Sequence, residues 1–289
     1  ALLARILPTT RYEDLAGCDL VIEAVFEDRA IKADVTKKAE AVLAADKVFA
    51  SNTSTLPITG LAQASSRPQN FIGLHFFSPV DKMPLVEIIV GQATSDETLA
   101  KGFDYVLQIG KTPIVVNDSR GFYTSRVFAT YVMEGIPMLK EGVHPRSIEV
   151  AGLQAGMPMP PLALQDEVSL SLSMHVAEQT KKDLAAEGRS VPEHPGFGVI
   201  KQLVEIGRIG KKAGRGFYDY TEGGKALWPE LTTLYPVKAE QPAQKELIDR
   251  LMFAQANEAA RCYEEGVLRS VADANIGSIF GWGFAPFHG

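Results

Sequence analysis

Apolar residues gather in short runs along the first third of the chain, at positions 20–25, 48–50, 71–76, 85–90 and 114–116. Runs that are apolar on successive positions and bounded by turn residues predict strands covered on both faces, the pattern of an α/β sheet. Between the first two runs, residues 29–45 are rich in Ala, Lys, Glu and Leu, with Ile31, Val35 and Val42 near helical spacing. A crossover helix is expected there. Ser95, followed by Asp96 and Glu97, opens another helix with an N-cap residue and acids in its first turn. The stretch between Phe76 and Leu85 is too short for a parallel crossover of about a dozen residues or more. The last strands are therefore expected to turn antiparallel at one sheet edge.

After Asn117 the texture becomes helical. Val127, Phe128, Tyr131, Val132, Ile136 and Leu139 form one apolar stripe, which predicts a long helix over 125–141. Further helices are expected at 168–186 and 197–206. Residues 221–244 are polar, hold Pro229, Pro236 and Pro242, and read as a connector. The tail repeats an earlier passage: Arg126, Glu134, Glu141 and Gly142 recur as Arg250, Glu258, Glu265 and Gly266, all offset by 124. With one added residue, Gly156-Met-Pro-Met-Pro-Pro161 then lies over Gly281-Trp-Gly-Phe-Ala-Pro286. These matches predict a duplicated helical unit whose second copy is truncated.

Composition narrows the class. With 289 residues, 46% hydrophobic and 22% charged, the chain is an ordinary globular polypeptide of one large or two medium domains. Its 29 basic and 35 acidic residues leave a net charge of −6, which favours neither a nucleic acid nor an anionic membrane. Cys18 and Cys262 are too few and too distant for a disulfide framework or a zinc site, and fit a reducing compartment. No apolar run approaches the roughly 18 residues of a membrane span, and no signal-peptide pattern opens the chain. The five histidines are scattered, none at i, i+4, so no metal site is expected.

Several residues could carry chemistry. His75 lies at the end of an apolar strand, either as a core histidine bonded to a backbone carbonyl or as a functional imidazole. Glu87 is the only polar side chain among five aliphatics in Leu85-Val-Glu-Ile-Ile-Val90. Burying a lone carboxylate costs several kcal/mol, so it needs a partner: His75, twelve residues upstream, or a structural Lys or Arg. A carboxylate on one imidazole nitrogen fixes the tautomer and raises the basicity of the other. Ser51-Asn-Thr-Ser-Thr55 follows a strand, where ligands of α/β sheets bind; its other reading is a helix N-cap cluster. Glu23, Glu27 and Lys32 read as a solvated helix start. The glycine turn Gly210-Lys-Lys-Ala-Gly-Arg-Gly216 before Phe217 is either a surface hairpin or an anion contact. No G-x-G-x-x-G follows a strand.

Together Ser51-Asn-Thr-Ser-Thr-Leu-Pro-Ile58, Gly73-Leu-His-Phe-Phe-Ser-Pro79, Leu85-Val-Glu-Ile88, Gly121-Phe122 with Arg126, and Gly210-Lys-Lys-Ala-Gly-Arg-Gly-Phe-Tyr218 resemble L-3-hydroxyacyl-CoA dehydrogenases over nearly the whole chain. The second repeat is similar to the alpha-subunit type of multifunctional fatty-acid oxidation enzymes. The resemblance implies the C-terminal part of a Rossmann-type sheet over 1–118. A helical dehydrogenase domain over 119–221, a linker over 222–245 and a truncated second repeat over 246–289 would follow, an α/β and then all-α organisation. It implies NAD-linked oxidation of a 3-hydroxyacyl-CoA to a 3-ketoacyl-CoA in β-oxidation, with His75 as base and Glu87 orienting it. Ser54 and Ser125 would contact substrate; Ala24, Glu27, Lys32, Asn52, Ser54, Ser78 and Lys212 would contact NAD. An enoyl-CoA hydratase activity on the same polypeptide, a thiolase beta subunit as partner and an oligomeric state also follow from it. So does a cytoplasmic, bacterial-type location, an organellar matrix being the other compartment that fits.

Two features depart from the family. Ser78 and Ser125 stand where it usually has asparagine; serine is shorter, so contacts to substrate or nicotinamide would run through water. The glycine fingerprint and the acidic ribose-binding residue are expected to precede Ala1, so the chain reads as a fragment, inactive by itself. The rival readings are a single-activity 3-hydroxybutyryl-CoA dehydrogenase, disfavoured by residues 250–289, and a non-catalytic docking remnant.

Overall fold

The computed structural model describes residues 3–186, 188–190 and 193–288. Ala1 and Gly289, the ends on which the fragment reading rests, lie outside them. The chain forms two compact units, one running up to Arg126 and including Cys262–Trp282, the other comprising Val127–Arg261 and the segment from Gly283.

The first unit is built on β1 (Leu20–Glu23), α1 (Arg29–Glu40), β2 (Val48–Ser51), α2 (Ile58–Ala62), β3 (Phe71–Phe76), β4 (Leu85–Val90), α3 (Asp96–Gln108) and β5 (Thr112–Asn117). The sheet order is β1-β2-β3-β4-β5. β1, β2 and β3 run parallel, β4 runs antiparallel to β3, and β5 runs parallel to β4. The reversal expected after Phe76 is therefore present, and both last strands follow it. On one face Val48, Ala50, Ile72, Leu74, Val86 and Ile88 pack with Val106 of α3. On the other, α2 sits directly on the backbone of Gly73, where an added Cβ would lie 2.8 Å from Ile58 Cγ1 and 2.8 Å from Ile89 Cβ. Asp28 caps α1, accepting from the N–H groups of Ala30 and Ile31. That helix stops at Glu40 rather than at 45, where the Arg67 guanidinium claims the carbonyls of Glu40, Leu43 and Ala44.

The helix expected over 125–141 is two: α4 (Thr124–Gly135) and α5 (Pro137–Lys140). Pro137 has no N–H to give to the preceding turn, and its ring crowds the carbonyl four residues back. Then come α6 (Pro145–Gln154), α7 (Pro161–Val168), α8 (Leu170–Ala186) and α9 (Pro195–Glu205). Ser169, at φ 81°, separates α7 from α8. The expected connector contains order of its own. β6 (Tyr218–Thr221) forms an antiparallel hairpin with β7 (Gly224–Leu227), and α10 (Leu231–Leu234) follows.

α11 (Gln244–Glu264) and α12 (Val271–Trp282) complete the chain. α11 runs unbroken through Arg261, the position 124 residues after Pro137, as the proline argument requires. Gly142 and Gly266 both adopt left-handed backbone, at φ 86° and 74°. The offset pairs exchange partners: Arg126 bonds Glu265, and Arg250 bonds Glu134 and Glu141. Further on, the register differs from the one expected. Gly156 ends its helix at φ 89°, and its positional equivalent is Gly283 at φ 74°, whereas Gly281 lies inside α12. Residues 246–289 are shared between the two units, because α12 buries Gly277 against Ile114 and Tyr123 and Gly281 against Leu85 and Thr124.

Candidate active site

β3 and β4 pair so that His75 lies directly opposite Glu87, which puts both side chains on one face of the sheet. Glu87 is fully buried and His75 is 4% exposed. The carboxylate holds four donors. Oε1 accepts from the N–H groups of Tyr123 and Thr124, each at 3.0 Å. Oε2 accepts from the Thr124 hydroxyl at 2.5 Å and lies 3.0 Å from His75 Nδ1. A carboxylate so occupied has only acceptor sites, so Nδ1 is the protonated nitrogen and Nε2 is the basic one. The two backbone donors are aimed by a turn in which Gly121 (φ 72°) and Phe122 (φ 52°) are both left-handed. A phenylalanine in that region costs on the order of 1–3 kcal/mol and persists only where its surroundings hold it. Phe122 is fully buried, and its ring lies 6.0 Å from the imidazole, with Phe77 at 4.5 Å.

The sequence left two partners open for Glu87, and the imidazole with the first turn of α4 takes the place of any Lys or Arg. It did not reveal Tyr123 and Thr124 as donors; the Gly121-Phe122 pair before a helix was the available signal.

At the carboxyl ends of β1 and β2 the reading of a solvated helix start is overturned. Glu23 and Lys32 are buried and paired, Nζ lying 2.9 Å from Oε1 and 3.1 Å from Oε2, and Ser51 donates to the same carboxylate. Glu27 accepts from the hydroxyls of Thr53 and Thr55 and the N–H groups of Ser54 and Thr55. Burial pushes its carboxyl upward, but the Thr53 hydroxyl, Lys32 and Thr55 outweigh it and hold the group below its ordinary value. Asn52 ties β1 to β3, donating its N–H to the Glu23 carbonyl and accepting from Phe76 N–H. Ala24, Ser54 and Ser78 are exposed along this rim, and Ser125 is half-buried. The 51–55 cluster does not cap α2; Asp118 does, accepting from the N–H groups of Ile58 and Thr59. Lys212 lies exposed on the glycine turn of the second unit, beside the Lys211–Glu167 ion pair. That turn leads into the β6–β7 hairpin.

Residues 1–119 match the model of the 3-hydroxyacyl-CoA dehydrogenase NAD-binding domain, and residues 121–220 match that of its C-terminal domain. The chain belongs to the 3-hydroxyacyl-CoA dehydrogenase family. It is 39% identical over its whole length to the fatty acid oxidation complex subunit alpha of Shewanella putrefaciens, covering 40% of that relative. The corresponding subunit of Shewanella strain MR-4 is 40% identical, with 41% of its length covered. The chain thus spans about two fifths of the curated relatives it matches. Among solved structures, 3-hydroxybutyryl-CoA dehydrogenase from Escherichia coli K12 superposes with a TM-score of 0.81 at 25% identity, over 99% of this chain and 77% of that one. The dehydrogenase part of multifunctional enzyme 1 from Caenorhabditis elegans superposes with a TM-score of 0.65 at 27% identity, over 98% and 64%.

The dehydrogenase family's NAD-binding domain therefore contributes the β1–β5 sheet. The rim fits the uncharged, hydrogen-bonding parts of a dinucleotide, since it offers small, hydroxyl and amide groups at Ala24, Asn52, Ser54 and Ser78. The N-terminus of α1 does not fit a pyrophosphate, because the Asp28 carboxylate already takes its N–H groups. Among the described residues no His/Cys/Asp/Glu cluster could hold a metal ion, and no helix is long and apolar enough to cross a membrane.

The second unit holds two buried carboxyls that the sequence reading missed. Glu149 accepts from the N–H groups of Leu162 and Ala163 and from the Tyr218 hydroxyl. Asp166 accepts from Phe217 N–H, Tyr218 N–H and the Tyr220 hydroxyl. Burial outweighs these donors and pushes Glu149 up to about 7 and Asp166 up to about 6. The folded state therefore binds protons that the unfolded chain releases. The resulting stability is full below the unfolded values of 4.5 and 3.8 and is lost as pH rises through about 7 and about 6. At about 1.4 kcal/mol per unit, the Glu149 contribution alone is on the order of 3 kcal/mol. Thermal unfolding of the full-length protein followed by circular dichroism between about pH 5 and about pH 8 should show Tm falling less steeply in Glu149→Gln than in wild type. Parallel curves would rule this linkage out.

Proposed function

We propose that the protein oxidises an L-3-hydroxyacyl-CoA to the 3-ketoacyl-CoA in fatty-acid β-oxidation, with His75 as general base. The observation that carries this reading is the saturated Glu87 carboxylate, which leaves His75 Nε2 as a basic nitrogen at the end of β3. NAD, when bound, supplies the hydride acceptor; Ala24, Asn52, Ser54 and Ser78 would face it along the rim. His75 Nε2 takes the proton of the substrate hydroxyl as the bond from the carbinol carbon to hydrogen breaks. Glu87 opposes the charge that develops on the imidazolium and keeps Nδ1–H directed at itself. Phe77 and Phe122 exclude water from the ring faces, which strengthens that interaction. The direct test is NADH formation by the full-length protein with 3-hydroxyacyl-CoA substrates of several chain lengths. No NADH with any of them would refute the assignment.

The match to alpha subunits across the whole chain, including residues 221–289, supports a multifunctional parent over a single-activity 3-hydroxybutyryl-CoA dehydrogenase. That parent would also carry enoyl-CoA hydratase activity, act in the cytoplasm and assemble with a thiolase subunit. An intact mass near that of this chain alone, with no hydratase activity, would favour the single-activity reading.

Ser125, in the first turn of α4, separates a substrate contact from a plain helix start. If its hydroxyl bonds substrate, Ser125→Ala should reduce kcat/KM by one hydrogen bond's net worth, about 0.5–1.5 kcal/mol. Ser125→Asn should raise kcat/KM by no more than the same amount. An unchanged kcat/KM in Ser125→Ala would return the residue to a structural role.

A further inference from the structure

The terminal torsion of a carboxylate is intrinsically broad, and at Glu87 both oxygens are held, Oε1 by the backbone N–H groups of Tyr123 and Thr124. Oε2, the oxygen that faces His75 Nδ1 at 3.0 Å, has the Thr124 hydroxyl as its other donor, 2.5 Å away. As the first residue of α4, Thr124 has no helical carbonyl four residues behind it for that hydroxyl to take. The side chain is itself held. It is 1% exposed and β-branched, hence stiff at χ1. Its methyl faces Gly281 of α12, where an added Cβ would stand 3.2 Å from Thr124 Cγ2 and 3.2 Å from Leu85 Cδ2. The preceding residue is tied to the same helix: the Tyr123 hydroxyl donates to the Ala274 carbonyl at 2.9 Å, and its ring meets that of Trp282 edge-on at 5.3 Å. The carboxylate that orients His75 is thus positioned by a turn that α12 braces from behind.

We propose that Thr124 is a positioning residue for the His75 base, its hydroxyl fixing the plane of the Glu87 carboxylate. The proposal rests on the reading of His75 as the base. A merely structural Thr124 would affect stability, and a substrate-binding one would affect KM. A positioning one affects kcat and the imidazole tautomer.

The experiment uses the full-length protein and the variants Thr124→Val, Thr124→Ala and Thr124→Ser, with His75→Gln as reference. Thr124→Val keeps the Cγ2 methyl and puts a second methyl in place of the hydroxyl. It should lower kcat by roughly threefold to tenfold, the kinetic size of one hydrogen bond, with KM for acyl-CoA and NAD unchanged. Ring 15N shifts of His75 should report a single Nδ1–H tautomer in wild type and a mixture in the valine variant. Thr124→Ser should restore kcat and the single tautomer. Should valine prevent folding, the pair Thr124→Ser and Thr124→Ala compares hydroxyl with none at nearly equal size, and kcat should fall only in the alanine variant. Equal kcat in serine and alanine variants, or wild-type kcat in Thr124→Val, would overturn the proposal while a collapsed His75→Gln leaves the base assignment standing. Near-normal turnover in His75→Gln would instead remove the base itself, and the positioning role with it.

Discussion

Replacing His75 with glutamine in the full-length protein should lower kcat for 3-hydroxyacyl-CoA oxidation by about 10²–10⁴-fold, the usual contribution of a general base. Glutamine keeps a polar side chain of similar reach but offers no basic nitrogen, so the substrate hydroxyl must lose its proton to water. KM should change little, since the lost interaction belongs to the transition state. Glu87→Gln should act in the same direction by a different route. The amide can still accept from Tyr123 and Thr124, but it carries no charge to balance an imidazolium. Steady-state kinetics by NADH absorbance decides the matter, and turnover close to wild type in His75→Gln would exclude the residue from the mechanism.

Lys32→Met should be the most destabilising single change at the sheet's carboxyl rim. The ammonium and the Glu23 carboxylate are each 2% exposed at the side chain. Removing one charge leaves the other buried without compensation, which costs about 3–5 kcal/mol. Glu23 would retain the Ser51 hydroxyl and the Val25 N–H, neither of which carries a compensating charge. The double variant Lys32→Met with Glu23→Gln should recover most of the loss, because the fully buried carboxylate is then neutral and Glu27, which also loses Lys32 at 3.4 Å, is partly exposed and keeps its Thr53, Ser54 and Thr55 donors. The readout is the thermal transition of the full-length protein alongside KM for NAD. A cofactor-contacting Lys32 would raise KM at unchanged Tm, and that result would sink the structural assignment.

The ion pair also shows where linear reasoning stops. Glu23, Glu27 and Lys32 are spaced as any polar helix entrance is, and nothing in the spacing says that β2 will close over two of them. Burial is a property of what packs on top, here the neighbouring strand with Ser51 at its end. Likewise the helix expected over 125–141 followed a true apolar stripe, and Pro137 stood in plain view. The stripe period survives a one-residue interruption, so it cannot report the break. The repeat register failed beyond Gly266 for a related reason. Two glycines near the end of α12 are equivalent as letters, and only left-handed backbone at Gly283 identifies the one that ends the helix.

What the sequence by itself determined is local or pairwise. It includes the strand positions, the reversal forced by the short link after Phe76, the Ser95 cap, and the need of a lone strand carboxylate for a partner, with an imidazole twelve residues away as one of two candidates. These follow from periodicity, chain reach and the cost of burying a charge, all of which act over a few residues. The tertiary structure decided the other donors on Glu87, the burial of Glu149 and Asp166, and the bracing of Thr124 by α12. Each depends on residues between thirteen and about 160 positions apart meeting in space. No spacing rule encodes such a meeting, because the free energy that selects it belongs to the packed whole rather than to any segment of the chain.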